Sequence, residues 1–214
     1  MRIVKLVAAT LWVAGPFALI GAAMATPGFA RDAGGLPAEE LQYAAPARDL
    51  APTARAVVTN LEGKEVGTII LTQTKTGVRL RITLKDLPPG DHGFHIHAVG
   101  KCEPPFASAG PHFNPEMRKH GLRSREGHHA GDMRNLRVPA SGKVSLTVMS
   151  ADVTLEKGKA NSLFQDGGTA IVIHANKDDE MTDPAGNAGD RIACGVITEQ
   201  AKTAALNYRG MSTQ

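Results

Sequence analysis

Arg79-Leu80-Arg81-Ile82-Thr83-Leu84-Lys85 alternates polar and aliphatic residues without a break. Successive side chains on a β-strand point to opposite faces, so this run has one wet face and one buried face. A helix would spread the same residues around its circumference. Upstream, Ala54–Asn60 and Glu65–Thr72 are rich in β-branched residues, and the alternating run itself extends over Val78–Leu87. Turns around Glu62-Gly63-Lys64 and Lys75-Thr76-Gly77 separate the three, and Pro88-Pro89-Gly90 ends the last. Further strands are predicted at Gly93–Ala98, Leu136–Val138, Lys143–Met149, Thr169–His174 and Arg191–Ile197. Short strands, frequent turn signals and almost no helical periodicity point to an all-β antiparallel sandwich or barrel. Two long stretches interrupt it, Val99–Asn135 and Ala175–Asp190, both crowded with Gly, Pro and charge. Loops of that length inside a compact domain usually carry function.

The flanks read differently. Arg2 and Lys5 precede an apolar run, Leu6–Ala23, and small residues follow. This is the pattern of a signal peptide over residues 1–25, cleaved after Ala25 or after Ala30, and it predicts export to a periplasm. An uncleaved anchor is the competing reading, which Pro16 and the small-residue exit disfavour. Removing the leader takes away two basic and no acidic residues, so the net charge of +3 falls to +1. The basic balance therefore implies no nucleic-acid partner and no stable membrane association. Residues 31–52, rich in Ala, Pro and Gly, read as a flexible arm with room for a short helix near 37–43. Residues 53–199 read as the β domain and 200–214 as a tail.

The mature part keeps two cysteines, Cys102 and Cys194. In an exported chain such a pair reads as one disulfide, the alternative being two buried thiols. A bridge across 92 residues would restrain the unfolded chain by about 4–5 kcal/mol in the loop-entropy picture.

Eight histidines carry the chemistry: His92, His95, His97, His112, His120, His128, His129 and His174. All lie in or beside the two long loops. His95 and His97 are two apart on a strand, so both project from one face while Phe94 and Ile96 point to the other. His174 ends another strand. Imidazoles from separate strands suit copper. His112, His120, His129 and Asp132 offer three nitrogens and a carboxylate, which suits a closed tetrahedral zinc site. A loop this polar and glycine-rich would gain order from such a metal. His92 lies on the other strand face and reads as structural or solvent-facing. His128 reads as exposed, because only the three-residue step from His129 to Asp132 fits a shared site.

Taken in order, these segments resemble the copper/zinc superoxide dismutases of bacterial periplasmic type. The matching segments are Gly93-Phe94-His95-Ile96-His97 with Gly100 and Cys102, then Gly110-Pro111-His112-Phe113-Asn114-Pro115. Lys119-His120-Gly121 and His129-Ala130-Gly131-Asp132 follow. His174 with Asp178 and Asp179, Gly186-Asn187-Ala188-Gly189 and Arg191-Ile192-Ala193-Cys194-Gly195 complete the set. The resemblance covers roughly residues 53–198. It implies a Greek-key β-sandwich or flattened barrel of about eight strands with two long functional loops. It implies one copper ion per chain on His95, His97, His112 and His174, and one zinc ion on His112, His120, His129 and Asp132. His112 would serve both. Asp178 would link a copper-side histidine to a zinc-side one, and Cys102 and Cys194 would be bridged. Arg191 and His112 would act on the substrate, superoxide. The short second loop leaves other steering residues open, with Lys177 a weak candidate, and Arg134 stands where many bacterial relatives have proline. A homodimer is possible within such a family. A metal-buffering protein could use the same clusters, but Arg191 and a complete ligand set count against that. A hydrolytic zinc site would need an open position, which this donor set does not leave.

Overall fold

The computed structural model describes residues 51–201. The signal segment, the arm up to residue 50 and the tail beyond residue 201 lie outside the described residues. The described residues form nine strands and no α-helix: β1 Thr53–Asn60, β2 Glu65–Thr74, β3 Gly77–Leu84, β4 Gly90–His92, β5 Phe94–His97, β6 Leu136–Val138, β7 Val144–Ser150, β8 Ala170–His174 and β9 Arg191–Gln200. Seven strands make one antiparallel sheet in the order β5-β8-β9-β1-β2-β3-β7, and β4 pairs with β6. The chain crosses from β3 to β4 and β5 at the far edge before returning to β7, so the sheet curls into a Greek-key barrel.

The alternation of β3 gives Val78, Leu80, Ile82 and Leu84 buried and Arg79, Arg81 and Thr83 exposed. With Ala54, Ala56 and Val58 of β1 and Val66, Ile69 and Leu71 of β2 they fill the barrel, together with Phe94, Ile96, Ile171 and Ile173. Burying one such aliphatic side chain contributes about 1.5–3 kcal/mol. Two sequence boundaries shift. β3 stops at Leu84 because Asp86 adopts φ 57° and Leu87 N–H turns to donate to the Gly142 carbonyl. The strand expected at Gly93–Ala98 runs over Phe94–His97, and a short strand not foreseen, Gly90–His92, precedes it, which makes the count nine rather than eight.

β5 and β8 are buried on both faces, unlike β3. β5 lies at an edge of the large sheet, and the first long loop covers that edge with main-chain bonds. Ile96 N–H donates to the Gly131 carbonyl (2.9 Å) and Phe113 N–H to the Ile96 carbonyl (2.8 Å). Sheet edges are normally covered in some such way. The consequence is that His112 faces His97 and Asp132 faces His95 across isolated bridges. A Cβ on Gly131 would overlap the Ile96 carbonyl, so only glycine fits this stitch. On the face of β8 and β9 away from the barrel core, Phe106, Ala109, Ala170, Val172 and Cys194 form a second small core beneath the Cys102–Cys194 disulfide.

Candidate metal centre

His95 and His97 leave β5 on its outer face, and His174 comes from the end of β8. All three are buried under the long loops, as is His112. Each ring is held by one nitrogen, which leaves the other free. His97 Nδ1 donates to the Gly110 carbonyl (2.8 Å) and His174 Nδ1 to the Gly189 carbonyl (3.1 Å). Their Nε2 atoms then meet at 3.4 Å. His95 Nε2 donates to Asp178 Oδ2 at 2.6 Å. His95 Nδ1 and His112 Nε2 are buried without any hydrogen-bond partner. An orphaned buried nitrogen is costly, and two of them facing two further imidazoles make a four-nitrogen set that fits a metal ion.

The second set surrounds Asp132. Its Oδ1 lies 2.8 Å from His112 Nδ1, 3.0 Å from His120 Nδ1 and 3.3 Å from His129 Nδ1. His129 Nδ1 and His112 Nδ1 are 3.4 Å apart. Ligand atoms about 2.0–2.1 Å from a tetrahedral ion sit roughly 3.3 Å from one another, so these separations fit zinc. Oδ2 of Asp132 is fixed by the N–H groups of Gly121 and His129. His112 thus turns one nitrogen to each set.

Asp178 joins the sets from behind. Its Oδ1 is 3.1 Å from His120 Nε2 while Oδ2 holds His95. Asn135 clamps Asp178 by both ends of its amide, at 2.8 and 2.7 Å. Gly186, at φ 60°, packs so closely on Asp178 and His120 that a Cβ there would overlap the carboxylate. Asn135 carries no sequence signal, and the Gly110 and Gly189 carbonyls cannot carry one, since every residue has a carbonyl. Asp183 accepts the His120 N–H at 2.8 Å and was also not foreseen.

Electrostatics separates the sets. Burial pushes His112 down to about 4 and His174 to about 3, and His97 also falls well below its ordinary value. Burial opposes charge on His120 as well. There, hydrogen bonds to Asp132 and Asp178 outweigh it and raise the ring to about 9. The same bonds, against burial, hold both aspartates well below the usual carboxylate range.

Arg191, at the start of β9, donates from Nη1 to the Phe106 carbonyl (2.6 Å) and from Nη2 to the Gly110 carbonyl (2.7 Å). Gly110 also holds His97, so one peptide positions both the guanidinium and a metal-facing ring. Burial lowers the Arg191 pKa, yet the group stays charged. Lys177 is exposed, with no tie to either set among the described residues. His92 is buried rather than solvent-facing, its ring nitrogens at 2.8 and 2.9 Å from the His174 and Pro88 carbonyls. His128 is half-buried rather than exposed, because its Nδ1 donates to the His129 carbonyl at 3.0 Å.

Comparison with known proteins gives one family. The family model described as copper/zinc superoxide dismutase matches residues 65–197. Superoxide dismutase (Cu-Zn) 1 of Aquifex aeolicus (strain VF5) is 52% identical over 144 residues, covering 66% of this chain and 85% of the relative. The Cu-Zn enzyme of Caulobacter vibrioides is 41% identical over 148 residues, covering 68% and 85%. A crystal structure of a double mutant of a SOD-like protein from Bacillus subtilis superposes with TM-score 0.65 at 43% identity, covering 66% of this chain and 95% of that one.

Proposed function

Since the chain belongs to the copper/zinc superoxide dismutase family, we propose that it converts two superoxide anions and two protons into dioxygen and hydrogen peroxide. The observation that carries this reading is the double use of His112, Nδ1 toward the Asp132 set and Nε2 toward the four-nitrogen set. Copper on His95, His97, His112 and His174 would supply the one-electron chemistry, with zinc on His112, His120, His129 and Asp132 as a redox-inert partner.

The rest is the work of this chain's residues. Arg191 spends two of its donors on carbonyls and keeps the others for a small anion drawn to the site. His112 Nε2 is the atom that would carry a proton to the peroxide product. Asp178 and Asp132 keep the neighbouring rings from turning, so that Nε2 stays in place. The leader-like N-terminus supports a periplasmic location for this reaction.

The test is superoxide consumption by the metal-loaded, purified protein. A second-order rate near 10^8–10^9 per molar per second, about the diffusional ceiling, is expected. No consumption with both metals bound would leave metal buffering as the function. Arg191→Ala is expected to keep both metals and slow turnover roughly tenfold or more at low salt. Unchanged turnover would remove Arg191 from substrate capture.

A further inference from the structure

Away from the metal centre, the outer face of the β1–β2–β3–β7 sheet has an unusual charge pattern. Register places Arg55 opposite Ile70, Ile70 opposite Arg81 and Arg81 opposite Thr147, in one row across four strands. The neighbouring row runs Thr53, Thr72, Arg79, Met149. Arg79 and Arg81 alternate on one strand, which sets them about 6.7 Å apart, and two strand spacings set Arg55 about 9.5 Å from Arg81. Among the described residues none of the three arginines has a carboxylate partner; the ion pairs of other lysines and arginines lie elsewhere. Arg55 Nε, moreover, is buried without an acceptor.

Among the described residues of these strands, the only carboxylate on this side is Glu65, five residues along β2 from Ile70, or roughly 16 Å away. A concavity of about 490 Å³ is present at the zinc side of the metal centre, whereas here one of about 450 Å³ is lined by Ile70, Thr72, Arg79, Arg81 and Thr147. Three guanidiniums without a carboxylate partner among the described residues, interleaved with threonine hydroxyls, form an oxyanion-binding array. Guanidinium forks donate bidentately to phosphate oxygens, and hydroxyls add donors between them. A second copy of the chain would bring like charges together, so this face does not suit self-association.

We propose that this face binds a linear phosphate-bearing polyanion, with Arg55, Arg79 and Arg81 each engaging phosphate groups along it. The proposal does not depend on the redox chemistry at the metal centre. It is tested with the full mature chain, metals loaded, by fluorescence anisotropy of labelled inorganic polyphosphate at 50–300 mM salt. Binding should weaken with salt at a log–log slope of about 2, from three contacts at roughly 0.7 each. In the Arg79→Gln, Arg81→Gln double variant, affinity at low salt should fall about tenfold or more and the slope should drop by about 1.4. Its melting temperature and superoxide consumption should stay at the parent level, because both side chains are exposed and far from the histidines in sequence and sheet position. Unchanged binding in the double variant, or no binding by the parent chain, overturns the proposal. Tighter binding to a sulfated glycan of matched charge would overturn the assignment to phosphate.

Discussion

His95, His97 and His174 ride on strands, whereas His120, His129 and Asp132 ride on a loop, and His112 stands between the two groups. The strand histidines are fixed by the sheet register, with His97 and His174 each held by one backbone carbonyl and His95 by Asp178. Burial and neighbouring imidazoles hold His97 and His174 neutral in this dry site. The loop residues have no such frame. Carboxylates hold them instead, with Asp132 in front and Asp178 behind, and the result is a ring drawn toward charge at His120. One half of the centre is therefore pre-built by the fold and the other is assembled by paired charges and, when present, by a metal ion.

Breaking the shared residue should have the largest effect. His112→Ala removes a donor from both halves at once, so copper and zinc content should both fall and superoxide consumption should drop at least about a hundredfold. If only one metal were lost, the halves would be independent and the comparison would fail. Replacing Asp178 comes next. Asp178→Ala frees the His95 and His120 rings together, and chelator competition should show both metals weakened by about 10–100-fold. A loss confined to zinc would mean that the strand half needs no support from behind.

The smallest effect sharpens the electrostatic contrast, through the melting temperature of the metal-free protein against pH. His112 and His174 have folded values near 4 and 3 against about 6.5 unfolded. Their contribution is present above pH 6.5 and lost as pH falls through 4 and then 3. His120 has the opposite sign: with a folded value near 9, its contribution is complete below pH 6.5 and lost as pH rises through 9. Stability should therefore peak near pH 6.5 and decline on both sides. A decline on the acid side alone would show that the loop carboxylates do not stabilise a charged His120.

The two halves were also unequally legible in the sequence. The period-2 pattern of β3, and His95 and His97 two apart, report directly on which face a side chain takes. His112, His120, His129 and Asp132 were readable as a zinc-suited donor set, but where each ring points was not, because a loop has no period from which to infer direction. The stitches that bring them to β5 run between backbone groups of Ile96, Phe113 and Gly131, which leave no mark in side-chain chemistry beyond a glycine that must be small. Asn135 was missed for a related reason: one amide in a polar loop looks like any other until Asp178 is placed against it. The half-burial of His128 likewise depends on a contact with its neighbour's carbonyl that spacing does not disclose.

The central claim is that one imidazole joins two metal ions in a working pair. Its most direct test is to titrate copper into the zinc-loaded protein, measuring superoxide consumption and bound metal in the same samples. Activity should rise in proportion to copper and stop at one copper and one zinc per chain. Both metals bound at that ratio with no activity, or activity that does not follow copper, would contradict the account.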